Sequence, residues 1–229
     1  MTTESPHHDH DHDHDHDHAH PAGTAPHRHP PQPDDPEPPL AARIQEEALR
    51  SLLIEKGVLS ARDLGEAMEA MDARGEEQGA RIVARAWADP GFRQLLRERP
   101  ALALRQFAIE MGVNELCVVE NTPEVHNVVV CTLCSCYPRM ILGVPPAWYK
   151  SREYRSRVVR EPRAVLIEFG TVLPDTVDVR VHDSNADLRY LVVPMRPAGT
   201  DGWDEARLAG LVSRDSMIGV TSARAAEGA

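Results

Sequence analysis

The stretch Cys131-Thr132-Leu133-Cys134-Ser135-Cys136 holds three of the four cysteines in this chain of 229 residues. Cysteines this close together do not suit a disulfide framework, so their spacing predicts metal or redox chemistry. The C-x-x-C part alone is compatible with zinc, an iron–sulfur cluster or a redox dithiol. Zinc and iron–sulfur sites usually take four ligands, for which the remaining candidates are Cys117, His126 and His182. A redox dithiol would leave Cys136 without a role, so the third cysteine favours a metal.

The C-x-C part has a geometry of its own, because one intervening residue places two amide nitrogens between two sulfurs. The sulfurs of Cys134 and Cys136 and the amide nitrogens of Ser135 and Cys136 would close unstrained five- and six-membered chelate rings in one plane. Cys131 would reach that plane from one side and leave the opposite side open to substrate. Deprotonated amides need a small, highly charged ion, so iron(III) or cobalt(III) fits and zinc does not. The alternative is a tight turn of buried small residues, although a free thiol is usually retained for its reactivity.

Helical periodicity dominates the sequence before the cysteine stretch. Apolar residues recur at helical spacing up to Gly57, which is a suitable C-terminal stop. Ser60 followed by Asp63 predicts the capped start of a second helix. The predicted helices cover 40–57, 60–71, 80–87 and a segment that opens at Asp89-Pro90, all within a helical region over residues 39–112.

Around and after the cysteine stretch, β-branched runs alternate with helical segments. Residues 177–181 and 189–193 alternate around the polar turn Asp183-Ser184-Asn185, which predicts a pair of antiparallel strands. The order predicts an α+β fold, in which an N-terminal helical segment precedes a mixed α/β catalytic domain, residues 113–229, built around a metal loop of cysteines. The other predicted elements are strands at 117–119 and 128–130 and helices at 148–159, 162–169 and 204–211.

The extremes of composition lie at the N-terminus. Residues 1–38 hold ten of the 12 histidines and nine of the 36 acidic residues but one of the 25 basic residues, so most of the net charge of −11 belongs there. This His-, Asp- and Pro-rich composition predicts a disordered tail. The remaining chain has no basic surplus, which excludes nucleic acid and anionic membranes as partners. We find no run of about 18 apolar residues and no signal-peptide pattern, and we expect a soluble, cytoplasmic protein.

The cysteine stretch and its surroundings resemble the α subunit of nitrile hydratase and the related γ subunit of thiocyanate hydrolase. The resemblance covers roughly residues 40–220. Besides the C-T-L-C-S-C stretch, it is carried by Glu120-Asn121-Thr122-Pro123, Tyr137-Pro138, Ile141-Leu142-Gly143, Pro145-Pro146, Trp148-Tyr149-Lys150, Tyr154-Arg155, Arg157-Val158-Val159-Arg160-Glu161-Pro162-Arg163, Arg189-Tyr190, Arg196-Pro197-Ala198-Gly199-Thr200 and Arg214-Asp215.

The resemblance implies a complete ligand set. Cys131 is expected to be an axial thiolate, and Cys134 and Cys136 are expected to be equatorial sulfurs oxidised to sulfinate and sulfenate. The amides of Ser135 and Cys136 complete the plane. Thr132 stands where the iron enzymes carry serine, which resembles the cobalt subclass. A non-corrin cobalt(III) ion is therefore expected before iron(III).

The resemblance also implies an activity, the hydration of nitriles to amides by a hydro-lyase. The metal would act as a Lewis acid toward the nitrile or water, and the sulfenate oxygen of Cys136 would serve as nucleophile or base. Arg189 matches an arginine that holds the ligand loop; the alternative is an ordinary arginine on a strand surface. A nitrile hydratase β-type subunit is the expected partner, in a heterodimer or heterotetramer, and the chain alone is expected to be inactive. A metal-insertion chaperone is a further candidate partner.

Alternative functions stay open at this stage. Arg139-Met140 stands where most nitrile hydratases carry Trp-Pro, and an arginine there resembles the subunit of thiocyanate hydrolase, which converts thiocyanate to carbonyl sulfide and ammonia. Arg139 would attract such an anion or pair with an acid at a subunit interface. Asp201-Gly202-Trp203 and the His/Asp tail also resemble thiocyanate hydrolase, whereas residues 120–123 and 194–199 are closer to cobalt nitrile hydratases. The remaining alternatives are a non-catalytic metal-binding module and a structural zinc protein.

The alternating His/Asp run in the tail offers clustered imidazole and carboxylate ligands for divalent cobalt, nickel or zinc. Our hypothesis is that it collects cobalt for the cysteine site. The alternative is a solvated acidic tail that binds nothing.

Overall fold

The computed structural model describes residues 38–226, so the predicted tail over residues 1–38 lies outside the described residues except for Pro38. None of the helices in the described part is long and apolar enough to cross a membrane. The described elements are α1 (Leu40–Glu55), α2 (Ala61–Asp72), α3 (Glu76–Ala88), α4 (Pro90–Glu98), α5 (Pro100–Arg105), β1 (Glu115–Glu120), β2 (Val125–Val130), α6 (Arg139–Leu142), α7 (Ala147–Lys150), α8 (Arg152–Arg157), α9 (Pro162–Glu168), β3 (Asp178–Asp183), β4 (Leu188–Val193), α10 (Glu205–Ala209) and α11 (Arg214–Ile218).

The first two helices carry the predicted start and stop signals. Gly57 follows α1 with a φ of 67°, a left-handed conformation that glycine adopts without strain. The Asp63 amide donates to the Ser60 hydroxyl (3.0 Å) and the Ser60 amide donates to the Asp63 carboxylate (2.8 Å), which makes a capping box. No residue of α1 is buried, so the apolar face that predicted this helix, including Leu49, lies on the surface of the chain.

The core forms where α3 packs against α4, α6, α10 and α11. A side chain at Gly79 would come within 2.6 Å of Leu142 and of Met217, so this glycine lets α3 approach both neighbours closely. Asp89 caps α4 as predicted, because its carboxylate accepts from the Phe92 amide (3.0 Å). The helical character of the N-terminal half is confirmed.

The four strands form two parallel pairs, β1 with β4 and β2 with β3. The prediction of an antiparallel pair over 177–181 and 189–193 is therefore wrong, although both segments are strands. The Asn185 side chain accepts from the amides of Asp187 (2.9 Å) and Leu188 (3.0 Å), and this turn carries the chain from one pair to the other.

Each parallel pair extends over the full length of its strands. β2 buries its last five residues, and β3 stays paired with it to the end, where the Ser184 amide donates to the Val130 carbonyl (2.7 Å). β4 pairs with β1 over its full length, from the register Glu115 with Leu188 onward. The helices α6 to α9 form the crossover between β2 and β3 that a parallel pair requires.

The helices after the cysteine stretch are shorter than predicted. The single helix predicted over 148–159 is wrong, because the chain divides into α7 and α8 at Ser151, whose hydroxyl caps α8 by accepting from the Tyr154 amide (3.0 Å). α9 and α10 confirm the other predicted helices, whereas α6 and α11 were not predicted. The α+β class is confirmed. The division at residue 112 into a helical region and a catalytic domain stays a prediction.

A buried hydrogen-bond network joins the strand pairs to the segment after α11. The His126 Nε2–H donates to the Gly219 carbonyl (2.7 Å). The side-chain NH2 group of Asn121 donates to His126 Nδ1 (3.3 Å), which must therefore carry no proton. The side-chain oxygen of Asn121 accepts from the backbone N–H of Asn127 (2.8 Å). The side-chain oxygen of Asn127 accepts from the His182 Nε2–H (2.8 Å). The network therefore requires His126 to be neutral.

We expect His126 to make the protein less stable in acid. Burial lowers the pKa of His126, while its hydrogen bond to Gly219 opposes this shift. Between the ordinary histidine pKa of about 6.5 and the lower folded value, the unfolded chain binds more protons, so stability falls as pH decreases through this window. Urea unfolding between pH 7.5 and 5.5 measures this dependence.

The variant His126→Gln should show a smaller loss of stability over the same pH range, because it cannot take up the proton. Burial also lowers the pKa of His182, so part of the pH dependence should remain. An unchanged pH dependence in His126→Gln would contradict this assignment.

Candidate metal centre

The cysteine stretch leaves the core at the end of β2. Cys131 directly follows the buried residues Val128, Val129 and Val130 and is itself fully buried, whereas Cys134 is exposed. The Cys134 amide donates to the Cys131 sulfur (3.3 Å), which turns the chain back over the strand end. One sulfur is thereby anchored in the protein interior while the next one reaches the surface.

The three sulfurs of the stretch meet in one place. The Sγ atoms of Cys131, Cys134 and Cys136 all lie within 4.8 Å of one another. The distance is 3.6 Å between Cys131 and Cys134 and 3.5 Å between Cys134 and Cys136. Two sulfurs bound to one ion at about 2.3 Å would lie roughly 3.3 Å apart at a right angle and roughly 3.8 Å apart at a tetrahedral angle. The observed spacing fits a single metal ion.

The backbone of the stretch supplies further donors. The amide nitrogens of Ser135 and Cys136 donate to no backbone or side-chain oxygen within residues 38–226. Both N–H groups lower the pKa of the Cys134 thiol. These two nitrogens therefore stay available as ligands beside the sulfurs, as the donor set predicted for a trivalent ion requires.

The thiols ionise unequally without a cation. Hydrogen bonding from Cys136 lowers the pKa of Cys134, and the backbone N–H groups act in the same direction. Burial raises the pKa of Cys136 to about 12, and the positive charge of Arg189 opposes this rise. A bound cation would favour ionisation of Cys134 and Cys136 together.

Three side chains from other elements hold the stretch. Both carboxylate oxygens of Asp183, at the end of β3, accept from Thr132, one from its amide (2.9 Å) and one from its hydroxyl (2.6 Å). The Arg155 guanidinium donates to the Thr132 carbonyl (3.2 Å). The Tyr149 hydroxyl donates to the Cys136 carbonyl (2.8 Å). None of these contacts is predictable from local sequence, since each joins the stretch to a distant segment.

An open cavity of about 610 Å³ borders the sulfurs. Cys134, Ser135 and Cys136 lie on its wall together with the arginines Arg74, Arg139 and Arg189 and with one acidic side chain of the described lining, Glu110. A depression of about 680 Å³ between α9 and β3 is larger but is lined by no cysteine. Of these two cavities, the one at the cysteines is therefore the one lined by clustered sulfur ligands.

The other sequence candidates fall in two groups. Arg189 lies on β4 and lines the cavity, and its guanidinium donates to the Asn185 and Leu188 carbonyls. The potential fourth zinc ligands do not join the sulfurs: His126 and His182 belong to the buried network and Cys117 lies on β1. Within the described chain, the three clustered cysteines form the one group that fits a metal.

Comparison with known proteins identifies relatives over most of the chain. The family model of the nitrile hydratase alpha chain matches residues 41–221. The α subunit of a low-molecular-weight cobalt-containing nitrile hydratase from Rhodococcus rhodochrous is 48% identical over 184 residues, which cover 80% of this chain and 88% of that protein. The γ subunit of thiocyanate hydrolase from Thiobacillus thioparus is 47% identical over 189 residues, which cover 77% and 78%.

The fold has a similar counterpart among solved structures. An iron-type nitrile hydratase from Comamonas testosteroni Ni1, in which two histidines are replaced by alanine, matches with a TM-score of 0.76 and 40% identity. The match covers 84% of this chain and 97% of that one. The similarity therefore extends from the sequence to the fold.

We expect Cys134→Ser to weaken metal binding by about tenfold or more, because it replaces one of three convergent sulfurs with a poorer ligand. The matched control is Cys117→Ser, which changes the thiol on β1 outside the cluster. Titration of the full-length chain with Co²⁺, followed by the visible sulfur-to-cobalt absorption band, measures both at the cysteine site. Equal affinity in the two variants would contradict the assignment of the sulfurs as ligands.

Proposed function

Because this chain belongs to the nitrile hydratase α-chain family, we propose that it is the metal-binding subunit of a cobalt nitrile hydratase, which converts nitriles to amides. One observation carries the proposal: the sulfurs of Cys131, Cys134 and Cys136 converge within 4.8 Å beside an open cavity. A structural metal site would be closed, whereas a catalytic one keeps a side accessible to substrate.

Cobalt is the proposed metal, held by Cys131, Cys134, Cys136 and the amide nitrogens of Ser135 and Cys136. Thr132 supports cobalt by its resemblance to the cobalt subclass, and so does the 48% identity to a cobalt-containing relative. Iron is the alternative, since an iron-type enzyme has a similar fold. In either case the ion supplies Lewis acidity toward the nitrile or water.

The residues of the chain have distinct proposed roles. Cys134 and Cys136 border the cavity, so oxygen carried on their sulfurs as sulfinate and sulfenate would face a bound substrate. The sulfenate of Cys136 is the proposed nucleophile or base. Arg189 lines the same wall, and its charge favours the ionised form of Cys136. The proposed role of Arg189 is to hold this anionic side of the site.

A β-type subunit is the proposed partner. α1 buries no residue, and its apolar side chains Ile44 and Leu49 are 58% and 57% exposed. The exposed apolar residues continue along α2 to Met71, which lines the cavity beside the cysteines. In a heterodimer or heterotetramer, a β-type subunit that covers these exposed apolar side chains would also complete the wall of the cavity.

A second candidate function is the hydrolysis of thiocyanate. Three guanidinium groups, from Arg74, Arg139 and Arg189, border the cavity against the single carboxylate of Glu110 in its described lining. A cationic wall favours an anionic substrate such as thiocyanate over a neutral nitrile. The 47% identity to a thiocyanate hydrolase subunit supports the same alternative.

The two functions are separated by assaying the complex of the chain with its β-type partner on an aliphatic nitrile and on thiocyanate. We expect amide formation from the nitrile, no product from the chain alone, and added oxygen on Cys134 and Cys136 by peptide mass analysis. If carbonyl sulfide from thiocyanate is the sole product, thiocyanate hydrolysis replaces nitrile hydration as the proposed function. Bound metal without either product would indicate a non-catalytic module.

We also propose that the His/Asp tail collects cobalt when cobalt is scarce. Deletion of residues 1–38 should lower cobalt occupancy of the cysteine site at limiting Co²⁺ and leave it unchanged at saturating Co²⁺. A full-length variant with the histidines of residues 7–20 replaced by asparagine separates the loss of ligands from the loss of chain. Equal occupancy at limiting cobalt in all three proteins would end this hypothesis.

A further inference from the structure

We propose that Tyr149 and Arg155 are positioning residues that orient the cysteine stretch for metal capture before the ion arrives. The inference rests on the proposed metal site. It concerns two side chains outside the ligand set, each of which holds one backbone carbonyl at an end of the segment that carries the donors.

Tyr149 holds the C-terminal end of the segment. Its side chain is fully buried, and its ring meets the Tyr137 ring edge-on, with centroids 5.2 Å apart. The buried ring has little freedom, so its hydroxyl is aimed at the Cys136 carbonyl, to which it donates over 2.8 Å. The position of Cys136 is thereby fixed by the packing of an aromatic cluster.

Arg155 holds the N-terminal end. Its Nε–H donates to the carbonyls of Lys150 (3.0 Å) and Ser151 (3.3 Å), where α7 ends and α8 begins. Its Nη1 donates to the Thr132 carbonyl (3.2 Å). One planar guanidinium therefore ties the α7–α8 junction to the start of the cysteine stretch, and a lysine ammonium cannot reproduce this fork.

The two contacts act on the orientation of the donors between them. A planar peptide group places its carbonyl and its N–H on opposite sides, so holding the carbonyls of Thr132 and Cys136 sets the peptide planes at both ends of the segment 133–136. Inside this segment, the N–H groups of Ser135 and Cys136 donate to no backbone oxygen of the described chain. Because both ends are held, the donors between them have fewer orientations available before the ion binds, so metal binding costs less ordering entropy.

A matched pair of variants isolates the contact made by Tyr149. Tyr154 is also a buried tyrosine, its ring lies 5.8 Å from that of Tyr149, and its hydroxyl donates to the Val129 carbonyl (2.7 Å) in β2. Tyr149→Phe and Tyr154→Phe each remove one buried hydroxyl and one hydrogen bond to a backbone carbonyl. They differ in whether that carbonyl belongs to the cysteine stretch.

The experiment titrates the full-length wild type and both variants with Co²⁺ and records affinity, the visible sulfur-to-cobalt absorption band and amide exchange of the metal-free chains. We expect Tyr149→Phe to bind Co²⁺ about fivefold more weakly, the effect of one lost hydrogen bond, with a shifted band and faster exchange at Ser135 and Cys136. Tyr154→Phe should match the wild type in all three readouts while losing similar thermal stability.

Equal cobalt affinity, absorption and exchange in Tyr149→Phe and Tyr154→Phe would overturn the inference. Arg155→Lys is the second variant and should also weaken Co²⁺ binding; affinity equal to wild type in this variant would remove Arg155 from the proposal. A wild-type chain that shows no sulfur-to-cobalt absorption band with Co²⁺ would overturn the proposed metal site itself, and this result is distinct from a failure confined to Tyr149→Phe.

Discussion

The parallel pairing of β2 with β3 is the constraint on which the site depends. The register places Asp183 opposite Val130, the last residue before Cys131. A carboxylate at the end of one strand therefore lies beside the first turn after the other strand, where both of its oxygens bind Thr132. An antiparallel hairpin of β3 with β4 would have directed Asp183 into a tight turn and left Thr132 without this contact. The topology of the sheet thus determines how the cysteine stretch begins.

The sequence predicted what depends on neighbours along the chain. The helix caps at Ser60 and Asp89 and the convergence of the three sulfurs between Cys131 and Cys136 are local patterns, in which residue spacing determines geometry. Two parallel strand pairs were missed because the alternation of residues in β3 and β4 is the same in an antiparallel hairpin. The partner of a strand depends on segments far away along the chain, which no short stretch of sequence contains.

The residues that hold the cysteine stretch could not be predicted from local sequence patterns. Tyr149, Arg155 and Asp183 contact the stretch across 13 to 51 residues of chain, and each contact requires α7, α8 or β3 to be in place first. The sequence predicts a continuous helix across Ser151, but the chain breaks there between α7 and α8. The carbonyls of Lys150 and Ser151 at this break accept hydrogen bonds from Arg155. The break between α7 and α8 is therefore also the feature that lets Arg155 bind this junction and the cysteine stretch together.

The exposed helix α1 has a consequence for how the protein is made. A helix that buries no residue gains nothing from the core of its own chain, and short helices are marginal in water without tertiary packing. Its apolar face would associate with other copies when no partner covers it. If the proposed β-type partner covers α1, synthesis of the two chains has to be matched in time and amount, because an excess of this chain would aggregate.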